Sequence, residues 1–169
     1  MKESKLIPRL VALENSNDSG PLSNLRRWWS PATRHYAFPV IARLAGGTAL
    51  DRPEICLIAA LFAEHPTHSA TADNLGATCR RIAGQNPESF EAHFRRLLSS
   101  QDLASDLAPN LLKIIRRAKK EALPVNYEIL EDDLRRWSHS AEKIKIGWAK
   151  SYYSVPSADL LDTPETPAS

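Results

Sequence analysis

Asp106–Leu123, DLAPNLLKIIRRAKKEAL, is the most informative stretch of this 169-residue chain. At about 100° per residue, one arc of a helix built from it collects only aliphatic side chains, and the opposite arc collects only cations. The sequence therefore predicts one helix with an apolar face and a basic face. The apolar face comprises Leu107, Leu111, Ile114, Ile115, Ala118 and Ala122, and the basic face comprises Lys113, Arg116, Arg117 and Lys120.

Helical periodicity continues on both sides of this stretch. The chain has only six glycines, and no segment alternates β-branched with polar residues over the length of a strand. Prolines recur between the apolar segments, where they mark helix starts and ends because helix interiors exclude proline. The sequence predicts an all-α fold, a compact helical bundle of about seven to nine short helices.

Capping patterns predict several helix boundaries. Asp51 precedes the apolar run Ile55–Ala63, which is apolar on all sides and is therefore expected to form a central, buried helix. Asp73 is expected to cap the next helix. Asn126 is expected to cap a later one whose inner face includes Trp137.

Length and composition fit one globular domain. The hydrophobic content of 43% and the charged content of 25% exclude collagen-like, disulfide-scaffold and wholly disordered classes. Residues 1–154 are predicted to form a single helical domain, with a division into two subdomains near residues 70–85 left open. Residues 155–169 contain three acids and no lysine or arginine, so we expect a disordered acidic tail.

No feature of the sequence predicts export or membrane insertion. The longest apolar run falls well short of the roughly 20 residues that span a bilayer, and the start of the chain, MKESKLIPRL, has no apolar signal core. Cys56 and Cys79 lie in apolar helical segments without metal-binding spacing, and we expect both to be reduced core residues. These observations favour the cytoplasm and no membrane partner.

Residues that carry chemistry are sparse. His65 and His68 flank a proline at a helix end, where two ligands cannot share one helical face. Glu131, Asp132 and Asp133 are crowded early in a predicted helix, where acids stabilise the helix dipole. No serine-nucleophile, zinc-protease, P-loop or dinucleotide-binding motif occurs. We expect no enzyme activity, no metal site and no cofactor.

Basic residues are concentrated in residues 80–150, which hold 14 of the 22 lysines and arginines. Arginine pairs recur at 26–27, 80–81 and 95–96, in addition to the basic face defined above. Each pair alone is common on a solvated surface. A row of like charges on one helix face is self-repelling, however, and an anionic partner relieves the repulsion. The pattern as a whole favours binding to phosphate groups.

Several segments, taken in order, resemble a known family. They are LFAEHP at 61–66, NLGATCRRIA at 74–83, FEAHFRRLL at 90–98, ALPVNYEILEDDLRRW at 122–137, and a last segment running from Trp148 to Tyr153. The second and fourth segments are the more specific ones. Over roughly residues 22–153, the chain resembles the CasB family, the small subunit of the type I-E CRISPR surveillance complex called Cascade.

The resemblance implies a non-catalytic subunit, present in two copies beside the crRNA-bearing backbone subunits and the large subunit. Such a subunit acts in antiviral defence by contacting crRNA, target DNA and displaced DNA without reading sequence, which stabilises the R-loop. His93 departs from the family pattern, since many relatives have arginine there. The implied nucleic-acid-binding residues, with Lys120 added from the basic face, are Arg26, Arg27, Arg95, Arg96, Lys113, Arg116, Arg117, Lys120, Lys143 and Lys145.

Two alternatives stay open at this stage. A free-standing helical DNA-binding protein would recognise a specific sequence, which requires polar side chains near the front of a basic helix. The basic face lacks them. A helical interaction scaffold without nucleic-acid binding would leave the basic residues solvated and would not bind single-stranded DNA even at low salt.

Overall fold

The computed structural model describes residues 5–154, and over these residues the all-α prediction is confirmed. This part of the chain contains no named strand, and its one extended pairing is a single bridge between His68 and Val125. The predicted tail at 155–169 lies outside the described residues. The helices are α1 (Leu6–Asn15), α2 (Gly20–Arg26), α3 (Phe38–Ala45), α4 (Pro53–Glu64), α5 (Leu75–Ala83), α6 (Glu91–Leu98), α7 (Ala108–Lys120), α8 (Tyr127–Arg135) and α9 (Trp137–Tyr153).

α4 forms the centre of the bundle. Every residue from Ile55 to Ala63 is buried, and α4 packs against α2, α3, α7 and α8. A helix that is apolar on all sides is stable only when other helices enclose it, so the prediction of a central helix is confirmed. Neither α4 nor any other helix of residues 5–154 is both long and apolar enough to cross a membrane.

One hydrophobic core cluster extends from α1 to α9. Cys56 and Cys79 belong to it, and both are free and buried, as predicted. Burial raises the pKa of the Cys79 thiol. Whether the domain divides near residues 70–85 stays a prediction.

α5 lies directly against α9. At their closest approach Gly76 faces the backbone of Trp148, and a Cβ at this position would collide with the Trp148 carbonyl group. Glycine is therefore required here by space. The indole of Trp148 is buried, and its Nε1 donates to Asp133 Oδ2 at 2.9 Å, which joins α9 to α8.

Two predicted N-terminal caps are wrong by one residue each. α4 begins after Arg52, because Asp51 closes a preceding 3₁₀ turn. α5 is capped by Asn74 in place of Asp73, and the Asn74 Oδ1 accepts a hydrogen bond from the Ala77 N–H at 3.1 Å. In both cases the adjacent residue is the one with extended backbone geometry.

The cap predicted at Asn126 is confirmed. Its Oδ1 accepts hydrogen bonds from the N–H groups of Glu128 and Ile129, both at 3.1 Å. The prediction that Trp137 lies on the same helix is wrong, because α8 ends at Arg135 and Trp137 begins α9. Trp137 is nevertheless buried.

α7 is shorter than predicted at both ends. A π-helical turn at Leu103–Leu107 precedes it. Beyond its C-terminus, the Leu123 N–H bonds to the Ala118 carbonyl at 2.9 Å and the Ala122 N–H to the Lys119 carbonyl at 3.1 Å, which is a Schellman motif. Ala122 has a φ of 56° and is exposed, so its assignment to the apolar face is wrong. The remaining members of that face are buried: Leu107, Leu111, Ile114, Ile115 and Ala118.

Candidate nucleic-acid interface

The basic face of α7 lies beside α6. The two helices pack together, and the Asn110 side chain at the start of α7 holds the end of α6. Its Nδ2 donates to Ser100 Oγ at 2.8 Å and to the Arg96 carbonyl at 3.3 Å. These contacts fix the separation of the helices, so cations from both lie on one surface.

A cavity of about 110 Å³ opens between the two helices, here called the α6–α7 cavity. Three of its lining residues, Arg96, Lys113 and Arg117, were assigned to nucleic-acid binding from the sequence. His93 also lines it and stacks on the ring of Phe90, with centroids 5.2 Å apart. The fold thus brings residues of two separate basic segments around one opening.

The lysines of the basic face differ from its arginines in their partners. Lys113 and Lys120 are exposed and make no hydrogen bond or ion pair within the described part of the chain. Arg116 pairs with Glu64 of α4, with Nε and Oε1 2.9 Å apart. The basic face is therefore partly neutralised by Glu64, an acid that lies on α4 and not on α7 itself.

Arg117 is the least exposed cation of this face. Its guanidinium carbon lies 5.4 Å from the centroid of the Phe90 ring, and its Nη2 lies 3.9 Å from Glu121 Oε1. Its Nε–H is buried and has no hydrogen-bond partner among residues 5–154. Leaving a buried donor unpaired costs about 1–3 kcal/mol, so this group favours an acceptor from outside the chain.

Arg95 and Arg96 are adjacent on α6, and both are exposed. Neither guanidinium has a hydrogen-bond or ion-pair partner in residues 5–154. Only Arg96 lines the α6–α7 cavity. The pair therefore places one cation in the cavity wall and one on the neighbouring surface.

Arg26 and Arg27 lie apart from this surface, at the end of α2. Arg26 Nη1 donates to the Ala63 carbonyl at 3.0 Å, which satisfies a carbonyl in the last turn of α4. The Arg27 guanidinium lies over the ring of Tyr36 at 4.4 Å from its centroid. Both exposed side chains already make contacts within the fold.

Lys143 and Lys145 lie on different sides of α9. Lys143 is exposed and lines a groove that also contains Asp73 and Asp133. Lys145 is half-buried, with its Nζ 5.6 Å from the centroid of the Trp137 ring. The structure does not bring these two lysines together.

The acids of α8 have protein partners. Asp132 and Asp133 lie in the last turn of the helix, so their interpretation as stabilisers of its dipole is wrong. Asp133 accepts from Trp148 and lies 3.0 Å from Arg136, and Asp132 lies 3.2 Å from the same arginine. Burial raises the pKa of Asp133, which the Trp148 hydrogen bond and the Arg136 charge oppose.

The histidines near the predicted helix end bind backbone atoms of different residues. His65 Nε2 lies 2.7 Å from the Leu123 carbonyl oxygen, and His68 Nδ1 accepts from the Tyr127 N–H at 3.1 Å. Over residues 5–154, no group of three or more His, Cys, Asp or Glu side chains is placed to hold a metal ion. The absence of a metal site in the whole protein stays a prediction.

Comparison with known families identifies the chain. Residues 21–153 match the sequence model of the family described as CRISPR-associated protein Cse2. The chain belongs to the Cse2 family. The resemblance to CasB proteins predicted from the sequence is confirmed, since solved structures of Cse2 and CasB proteins have the same fold as this chain.

The matching Cse2 and CasB structures each cover most of this chain. A Cse2-family protein from Thermus thermophilus is 23% identical, with a TM-score of 0.72, covering 89% of this chain and 97% of that one. A second structure, of CasB from Thermus thermophilus, is 22% identical, with a TM-score of 0.70 and the same coverage. CasB from Thermobifida fusca is 18% identical, with a TM-score of 0.65, covering 89% and 94%. None of the curated proteins matches the sequence.

Sequence reasoning missed three residues that shape this surface in the Cse2-family chain: Glu64, Asn110 and Glu121. Glu64 is 52 positions from Arg116, and no local spacing signals that contact. Asn110 follows Pro109 in the first turn of α7 and resembles an ordinary helix-start residue. Glu121 is four positions after Arg117, and this spacing could have indicated the pair.

Proposed function

We propose that this protein is the non-catalytic small subunit of a type I-E Cascade and that it binds nucleic-acid backbone through the cations of α6 and α7. The observation that carries the proposal is the group of unpartnered cations Arg95, Arg96, Lys113 and Lys120 on these two helices. Membership of the Cse2 family supports a role in a CRISPR complex. The charge distribution supports the chemistry of binding.

Contacts of this kind favour an R-loop without reading its sequence. The RNA–DNA heteroduplex is about as stable as the DNA duplex that it replaces, so a few protein contacts to phosphates are enough to shift the balance. Lysine and arginine side chains neutralise phosphates irrespective of the base. The subunit would thereby hold crRNA, target strand and displaced strand during antiviral defence in the cytoplasm.

No catalytic step is part of this proposal. Burial raises the pKa of Cys79, Tyr127 and Asp133, which lie in the core or against structural partners. Tyr127, for example, donates its hydroxyl to the His65 carbonyl at 2.6 Å. None of these groups lines the α6–α7 cavity.

Assembly with the backbone subunits, the large subunit and a second copy requires exposed apolar surface. Tyr36, Phe38 and Leu50 lie in one short part of the chain and are 46%, 39% and 38% exposed. Aromatic residues are enriched in the cores of protein interfaces. These side chains would be available to such an interface.

Charge reversal at Lys113 and Lys120 tests the binding surface. Both side chains are exposed and unpartnered in the described structure, so each change should alter the free energy of unfolding by about 0.5 kcal/mol or less. A reconstituted complex that carries Lys113→Glu and Lys120→Glu should bind target duplex more weakly. The log–log salt slope should shrink by roughly 0.7–0.9 for each lost contact. Filter-binding titrations at several salt concentrations measure both quantities, and circular-dichroism melts verify folding.

The matched control is the Lys5→Glu, Lys150→Glu variant, which changes net charge equally at two exposed lysines outside α6 and α7. It should retain the affinity and salt slope of the wild-type complex. An equal loss in both variants would mean that net charge acts and that the proposed surface is wrong. Unchanged binding by the α7 variant would favour an interaction scaffold, and a sequence preference of the isolated chain would favour a free-standing DNA-binding protein.

A further inference from the structure

The α6–α7 cavity has walls of one charge sign. Its lining includes Arg96, Lys113 and Arg117 and contains no carboxylate. Lys113 and Arg117 lie one helical turn apart on α7, and Arg96 approaches from α6. Like charges at this spacing repel one another. A bound anion would be attracted to all three cations at once.

Arg117 contributes a donor that the fold does not use. Its Nε–H is buried without a partner in residues 5–154, although contact with the Phe90 ring holds the guanidinium in place. The Glu121 carboxylate is 3.9 Å away from Nη2 in a half-exposed pair, which is a weak interaction. An oxygen acceptor that reached Nε would satisfy this buried donor.

The composition of the walls favours phosphate oxygens over a nucleic-acid base. Guanidinium and ammonium groups are donors only, and arginine pairs well with the oxygens of phosphate. The phenyl ring of Phe90 in the cavity wall is 2% exposed, because His93 stacks on it and Arg117 lies over it. The Phe90 ring therefore has no open face on which a base could stack.

The cavity is held in shape by contacts that do not involve its cations' charged ends. Asn110 bonds to Ser100 and to the Arg96 backbone, as described above, and so fixes α6 against α7. A site that is already formed loses less conformational freedom when its ligand binds. The cations therefore converge before any ligand is present.

We infer that the α6–α7 cavity is a binding site for one phosphate group, held by Arg96, Lys113 and the Nε–H of Arg117. The inference deepens the proposed function and rests on it, because a backbone phosphate of nucleic acid is the expected source of the group. The cavity would thus hold one phosphate at a defined position, whereas the other cations of the surface would attract phosphates without binding them at fixed positions.

The first test is a titration of the full-length, ¹⁵N-labelled protein with inorganic phosphate at constant ionic strength. The readout is the NMR signal of the Arg117 Nε–H. We expect this signal to shift and to saturate, while the corresponding signal of Arg81, which is exposed and outside the cavity, shifts little. If the Arg117 signal shifted linearly, without saturating, and by as much as the Arg81 signal, the inference would be overturned.

Four variants with the same change in charge provide matched controls. Arg96→Ala and Lys113→Ala remove cations that line the cavity, whereas Arg95→Ala and Lys120→Ala remove neighbouring cations that do not. We expect phosphate affinity to fall about tenfold in the first two variants and less than about twofold in the others. Equal losses in all four would show diffuse electrostatic attraction and would overturn the inference.

A second titration separates this inference from the proposed function. The probe is a single-stranded oligonucleotide without a terminal phosphate, so its only phosphates are in the backbone. Binding that moves the Arg117 signal as inorganic phosphate does would support both proposals. Binding that leaves the signal unmoved would overturn the phosphate site and leave the proposed function standing. Saturation by inorganic phosphate without oligonucleotide binding would support the site and contradict the proposed function.

Discussion

Asp133 shows, at the scale of a single residue, how burial changes the role of a charge. The sequence suggests an acid that stabilises a helix dipole, but the structure leaves Asp133 only 8% exposed, in contact with Trp148 and Arg136. Trp148 is 15 positions away and on the next helix. Periodicity predicts which face a residue occupies, and it does not predict which side chain of another helix meets it there.

The raised pKa of Asp133 makes stability depend on pH. Burial raises the pKa above its ordinary value, so the folded state binds the proton more tightly than the unfolded state does. This contribution to stability is present below the ordinary pKa and is lost as pH rises through the raised one. We expect the free energy of unfolding of the wild type, relative to Asp133→Asn, to fall as pH rises from below the ordinary pKa of an aspartic acid through the raised pKa of Asp133.

Urea denaturation of both proteins at a series of pH values measures this difference. Asparagine keeps an oxygen that can accept from the Trp148 indole, so the comparison isolates the ionisable group. A difference that grows with pH would show that the Arg136 charge outweighs burial, and a constant difference would show that the two effects cancel.

At the scale of whole elements, the sequence predicts the helices and their faces better than their ends. The apolar face of α7 is correct for five of its six members and wrong for Ala122. The left-handed position that ends a helix is usually glycine, so an alanine there does not indicate from the sequence that the helix ends. The caps at Asp51 and Asp73 fail for a related reason. Each lies beside the true boundary residue, and the geometry of the preceding turn selects between neighbours.

Ala122→Gly should stabilise the protein. Ala122 occupies the left-handed region with a φ of 56°, where the Cβ of an L-residue costs about 1–2 kcal/mol. The greater freedom of glycine in the unfolded chain offsets about 0.4–1 kcal/mol of that gain. We expect a net gain of up to about 1.6 kcal/mol and a rise in melting temperature of up to about 6 °C.

The control for this prediction is Ala118→Gly in the same helix. Ala118 is fully buried and lies within α7, so glycine there should destabilise by about 1 kcal/mol or more. Thermal melts of the two variants and the wild type give the comparison. A loss of stability in Ala122→Gly would mean that the methyl group makes a contact that outweighs its backbone strain.

At the scale of the whole molecule, folding selects among the basic residues that the sequence offers. It brings Arg96 together with Lys113 and Arg117, whereas Arg26 and Arg27 bind elsewhere on the fold. The basic face could be predicted because it lies on one helix. The α6–α7 cavity could not, because it depends on how α6 docks against α7 through Asn110.

We expect the acidic residues at 155–169 to weaken nucleic-acid binding through long-range charge. Deleting residues 157–169 removes three acids and no lysine or arginine. Residues 157–169 contain too few apolar side chains to be expected to pack, so the melting temperature should not change. Affinity for single-stranded oligonucleotide should rise modestly at low salt, because repulsion of phosphates is reduced.

The salt dependence distinguishes two ways in which this deletion could act. The log–log slope counts the phosphates contacted and is independent of overall charge to a first approximation, so it should be the same for the truncated and full-length chains. Titrations of both chains at several salt concentrations, with thermal melts alongside, measure slope and folding together. A slope that grows on truncation would show that the acids compete with phosphates for particular cations. Loss of cooperative unfolding would show that residues 157–169 contribute to the core. A gain in affinity at constant slope, with unfolding unchanged, requires neither competition for particular cations nor a role in the core, so this outcome alone would identify long-range repulsion as the cause.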